Sequence, residues 1–87
     1  QFELGNLNES LTNLDILLSN NQTEEMIARV SMGQNETQDV PYRAQLNYLK
    51  GLVFIEKGEN DLARNSFNKA LNLSPEFKNA SEKLGTL

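Results

Sequence analysis

Residues 47–75 read N-Y-L-K-G-L-V-F-I-E-K-G-E-N-D-L-A-R-N-S-F-N-K-A-L-N-L-S-P, from Asn47 to Pro75. Two helices are written in this stretch. The first begins upstream at Pro41, a residue suited to a first helical position because its missing N–H has no partner there anyway. It runs to about Lys57. Tyr42, Ala44, Leu46, Tyr48, Leu49, Leu52, Val53, Phe54 and Ile55 make it apolar nearly all round, as expected of a helix covered on more than one side. Gly58 is its stop. The second runs from about Asn60 to Leu73, with Leu62, Ala63, Phe67, Ala70, Leu71 and Leu73 on its inner face and Asn60 and Asp61 available as caps. Pro75 follows and prevents its continuation.

Weaker signals lie on either side. Leu7, Leu11, Leu14, Leu17 and Leu18 form one stripe of a helix over about 6–19, preceded by Gly5 and ended by Ser19-Asn20-Asn21. Thr23 reads as the N-cap of a short helix over 24–32, with Ile27 and Val30 facing one way and Gly33 as its stop. Gln34 to Val40 is polar and reads as a loop. Phe77, Ala80 and Leu84 share a face over 76–84. Strands are not expected, because no run alternates apolar and polar residues with β-branched enrichment. The expected fold class is all-α, with antiparallel helix hairpins and four or five helices, one of them short and inserted.

The spacing Asn47-x2-Lys50-Gly51-x2-Phe54, then Gly58, then Ala63-x3-Phe67-x2-Ala70, then Pro75 resembles the tetratricopeptide repeat, a 34-residue helical hairpin whose units stack into α-solenoids. Gly51 and Ala63 stand where the two helices approach closely, Gly58 at the turn, and Phe54 and Phe67 between the helices. Asn47 and Lys50 depart from the family pattern, which has a bulky aromatic and a Leu there. Leu84-Gly85 lies one 34-residue period after Lys50-Gly51. Gly5-x4-Ser10-x3-Leu14-x2-Leu17 matches Gly58-x4-Ala63-x3-Phe67-x2-Ala70 at an offset of 53 residues, 19 more than one period. One domain over 1–87 is therefore expected. In it 1–22 ends a preceding repeat, 23–41 is an insertion, 42–75 is a full repeat, and 76–87 is a following or capping helix. The start at Gln1 rather than Met reads as a processed chain or an excised fragment.

Composition narrows the function. The 87 residues include no Cys and no His, which excludes thiolate and imidazole metal sites, disulfides and the common catalytic triads. Eight Lys and Arg against 12 Asp and Glu give a net charge of -4, a poor match for nucleic acid. Leu52 to Ile55 is the longest unbroken apolar run, so no membrane insertion is expected. Glu24-Glu25 and Glu59-Asn60-Asp61 lack the spaced pattern of a calcium loop and read as helix-start charges. Five N-x-S/T sequons, at Asn8, Asn21, Asn35, Asn72 and Asn79, are read as a result of abundant Asn. No cofactor, metal or catalytic residue is expected. Lack of Cys suits a cytosol and a bacterial envelope equally.

The resemblance implies a non-catalytic protein-interaction module whose first helices line a groove. The groove positions would be Gln45, Tyr48, Leu52 and Ile55, which recur on one stripe of the helix. Two readings of that stripe stand. It docks a partner peptide or helix, or the inserted helix covers it through Ile27 and Val30. The basic clamp by which some family members hold a C-terminal carboxylate is missing, because the matching positions carry Gln45, Tyr48, Leu49 and Leu52. The alternative function is structural, with the terminal helices packing on a second copy (a homo-oligomer) or on the rest of a longer solenoid.

Overall fold

The computed structural model describes residues 4–20, 22, 25–33 and 35–87. Its centre is a helical hairpin, α2 (Tyr42–Glu56) and α3 (Asn60–Leu73). On α2 the buried residues are Ala44, Leu46, Asn47 and Gly51. On α3 they are Ala63, Ser66, Phe67 and Ala70, a spacing of three and four that makes one stripe. Small residues let the two axes close up. A Cβ at Gly51 would lie under 3.0 Å from three carbons of the Phe67 ring.

The turn between them is built by hydrogen bonds. Gly58 adopts φ 77°, a left-handed conformation that glycine reaches without steric cost. Its N–H donates to the Ile55 carbonyl at 3.0 Å, and the Glu59 N–H donates to Phe54 at 2.9 Å. This pair of bonds is the Schellman closure, which satisfies carbonyls left over at the end of α2. The N-cap of α3 is Glu59, and neither Asn60 nor Asp61 caps it as the sequence suggests. Asp61 lies instead in the first turn, pairing with Arg64 at 3.0 Å.

α1 (Leu4–Ser19) runs antiparallel to α2. Three polar links fix that direction: Lys57 Nζ to Asn8 Oδ1 at 2.8 Å, Lys50 Nζ to Asp15 Oδ1 at 2.7 Å, and an Arg43 guanidinium N–H to the Asn20 carbonyl at 3.2 Å. Lys50, where the family pattern has Leu, thus spends its charge on α1. Asn47, where the pattern has an aromatic, is buried and donates to the Arg43 carbonyl one turn back at 3.0 Å. After Pro75 the chain turns into α4 (Lys78–Gly85), anchored by the fully buried Phe77 and Ala80.

The insertion is the main correction. The expected helix over 24–32 is a strand, β1 (Ile27–Gly33), and the expected loop is its antiparallel partner, β2 (Glu36–Pro41). The chain is mostly helical but not all-α. Burial follows a period of two. Ala28, Val30, Met32, Gln38 and Val40 are buried or half-buried, and Ile27, Arg29, Ser31, Thr37 and Asp39 are exposed. Ile27 and Val30 fit a helical stripe three residues apart, and Ala28, Val30 and Met32 fit a strand equally well. The turn decides between them. Gly33 at φ 134° and Asn35 at φ 63° supply the positive φ values that a tight hairpin needs. Pairing closes at Gly33 with Glu36, after a register shift beyond Ser31. The Thr23 cap, Glu24 and the first three residues fall outside the described residues.

Candidate functional site

The site begins with α2, which has α3 on one flank, α1 on another and the hairpin at its N-terminal end. Val30 and Val40 of the hairpin join Ala44, Ala70, Phe77 and Ala80 in one buried cluster, with Ala28, Tyr48 and Leu71 packed around it. Polar bonds hold the hairpin to α4. The Gln38 side chain donates through Nε2 to the Glu76 carbonyl and accepts at Oε1 from the Lys78 N–H at 3.1 Å. One amide therefore serves as a side-chain cap at the start of α4. Asn79 Nδ2 donates to the Ser31 carbonyl at 2.9 Å. On the outer face Arg29 and Asp39 pair at 2.9 Å across the strands. The Arg29 hydrogen bond holds the Asp39 carboxyl below the usual carboxylate range.

The four expected groove residues are all half-buried. Tyr48 packs its ring between Phe67 and Phe77, at centroid distances of 5.7 and 5.3 Å. Burial pushes its phenol up from the ordinary value, with a smaller push from the Glu82 carboxylate. Leu52 lies one turn farther along α2. Gln45 has a buried Oε1 with no hydrogen-bond partner among the described residues. An unmet acceptor of this kind costs free energy. Ile55 is half-buried toward the C-terminal end of the helix. Of the two residues expected to cover the stripe, Val30 is buried in the cluster beside Tyr48, and Ile27 is 64% exposed.

Leu52 opens onto an apolar depression of about 400 Å³ between α1 and α2. Leu7, Ser10, Asn13 and Leu14 line it from α1, and Leu49, Leu52, Val53 and Glu56 from α2. The sequence reads 6–19 as a helix that ends a preceding repeat and does not single out this seam. Its signal was present in the heptad-spaced pairs Leu7/Leu14 and Leu49/Glu56, one on each helix. A smaller depression is lined by Tyr48 of α2 and by Asn79, Glu82, Lys83 and Thr86. Of the stripe Gln45, Tyr48, Leu52 and Ile55, Leu52 lines the larger of these two depressions and Tyr48 the smaller.

Among the described residues no group of three or more Asp and Glu is placed to hold a metal ion, and no helix is long and apolar enough to cross a membrane. No curated protein and no solved structure matches the chain. A family model does match, and it falls on the helical hairpin just described. It covers residues 44–77, from the buried Ala44 to the buried Phe77. This chain carries one tetratricopeptide repeat, at residues 44–77.

Proposed function

We propose that this chain is a non-catalytic protein-interaction module that docks a partner peptide or helix on the apolar surface of α2. The tetratricopeptide repeat at 44–77 supports a protein-interaction module. The observation that carries the docking reading is Leu52. It is half-buried, and it lines an apolar depression that no described side chain fills. Of the four stripe residues, Leu52 is central to this reading. Tyr48 contributes through its smaller depression, and Gln45 and Ile55 flank the two.

Leu52→Glu tests it. The variant is expected to keep its helical circular dichroism and to lose partner capture in a side-by-side pull-down with the wild-type chain. If it unfolds, Leu52 is core and the docking surface lies elsewhere.

A second reading rests on α1. Its main neighbour is α2, and its Ile16 is 61% exposed. In that reading 1–22 ends a preceding repeat, 23–41 is an insertion and 76–87 starts a following unit, so the terminal helices pack on further repeats or on a second copy. Light scattering separates the two. A monomer at high concentration removes the homo-oligomer.

A further inference from the structure

We propose that the depression between α1 and α2 seats one amphipathic helix of a partner protein, carrying a Lys or Arg where that helix passes Glu56. The inference rests on the docking reading above and names its occupant.

Shape comes first. The floor is made by two antiparallel helices, each contributing about two turns, Leu7 to Leu14 and Leu49 to Glu56. A third helix laid along such a seam meets ridges on both sides at ordinary helix-packing distances. Its anchors would be apolar residues at i, i+3 or i+4, and i+7.

Backbone chemistry selects a helix over an extended strand. Most lining residues, Ser10, Asn13 and Leu14 of α1 and Leu49 and Leu52 of α2, lie inside their helices, where main-chain N–H and C=O groups are already bonded within the helix, and the Val53 carbonyl accepts from the Lys57 N–H. A strand docked there would find no edge to pair with, and its own polar groups would be buried unmet. A helix brings its backbone bonds with it.

Charge selects the flank. Among the described residues that line the depression, Glu56 alone is ionised, and no cation sits beside it. The two nearby lysines are engaged elsewhere, Lys50 with Asp15 and Lys57 with Asn8 and Glu59. The whole chain is acidic, with a net charge of -4. Ser10 and Asn13 complete a neutral polar rim. A basic residue at this point meets an unmatched carboxylate and is steered by the field of the chain. Two copies pairing symmetrically through this seam would instead bring Glu56 toward its own copy with no cation on the lining to meet it.

The test uses the full chain and three synthetic helical peptides. One has a leucine stripe flanked by Lys, one has the same stripe flanked by Glu, and one has the Lys composition with the stripe scrambled. Binding is read by fluorescence anisotropy and its location by NMR amide shifts. The Lys-flanked peptide is expected to bind, with shifts gathered on Leu7, Leu14, Leu49 and Val53. Glu56→Lys is expected to weaken that peptide by about tenfold and to turn the preference toward the Glu-flanked one. Equal binding of the scrambled peptide overturns the inference, because charge alone would then explain the attraction. Shifts gathered on Tyr48 and α4 also overturn it, although they leave the docking reading standing. Binding of none of the peptides overturns it outright, as does a dimer whose interface maps to the same seam. The Leu52→Glu pull-down is scored independently, so its failure counts against the docking reading itself.

Discussion

The two flanks of α2 are packed by different means. Toward α3 the contact is filled. Gly51 receives the Phe67 ring, and Ala63, Phe67 and Ala70 are fully buried. Toward α1 the contact is tied rather than filled. Lys50–Asp15 and Lys57–Asn8 hold the helices in register while Leu14, Leu49, Leu52 and Val53 stay half-buried around a depression of about 400 Å³. A filled contact draws its stability from apolar area and close dispersion contacts. A tied contact draws little from solvent-exposed ion pairs and keeps apolar surface open. Both tethers, Lys50 in α2 and Lys57 at its C-cap, stand outside the lining of the depression. The α3 flank is therefore the folding unit, and the α1 flank is the surface with room for something else.

The comparison can be broken by removing atoms from each flank. Phe67→Ala on the filled side should cost about 3–5 kcal/mol, the range for a fully buried aromatic. That is most of the stability of a domain this size. Urea unfolding followed by circular dichroism reads it, and a loss below about 1 kcal/mol would mean the two flanks are alike. Gly51→Ala adds atoms to the same place. Its Cβ would overlap the Phe67 ring, which has packed neighbours and little room to shift, so about 1–3 kcal/mol is expected. A neutral outcome would show that the helices can slide apart.

On the tied side, Leu52→Ala should cost about 1 kcal/mol or less, because the side chain is half-buried and its removal enlarges an open depression instead of creating a closed cavity. A loss as large as that of Phe67→Ala would place Leu52 in the core. The smallest effect is set by pH. Folding favours the protonated phenol of Tyr48, because burial raises its value above the usual 10.0. That contribution is intact below pH 10 and is lost as pH rises through the raised folded-state value. Tyr48→Phe keeps the ring between Phe67 and Phe77 and should flatten this alkaline decline. An unchanged decline would assign it to other groups.

Legibility divides along physical lines. Gly51, Gly58, Ala63, Phe67 and Pro75 could be read because each answers a local demand, such as close approach, a left-handed turn, a filled gap or a helix stop. The ends of α2 and α3 follow from them within a residue. The hairpin could not be read the same way. Ile27, Ala28, Val30 and Met32 satisfy a period of three and a period of two at once, and it is the turn, with the pairing eight to fourteen residues away that it allows, that settles the choice. Gly33 and Asn35, positive-φ positions among the described residues of the turn, were the available clue, and Gly33 passes equally well for a helix stop. That Leu52 and Tyr48 line separate depressions depends on where the hairpin settles and on how α1 lies along α2, and neither is written in α2 itself.

Pro41 is at once the last residue of β2 and the N-cap of α2, with no loop between them. The Tyr42 N–H, first in the helix, donates to the Met26 carbonyl at 2.7 Å, just before β1. The strand ribbon is thereby joined to α2 with no loop to act as a pivot. The exposed turn at Asn35 moves with α2 whenever α2 rotates, and a probe attached there would report, at the far end of a lever, a reorientation too small to see at the helix itself.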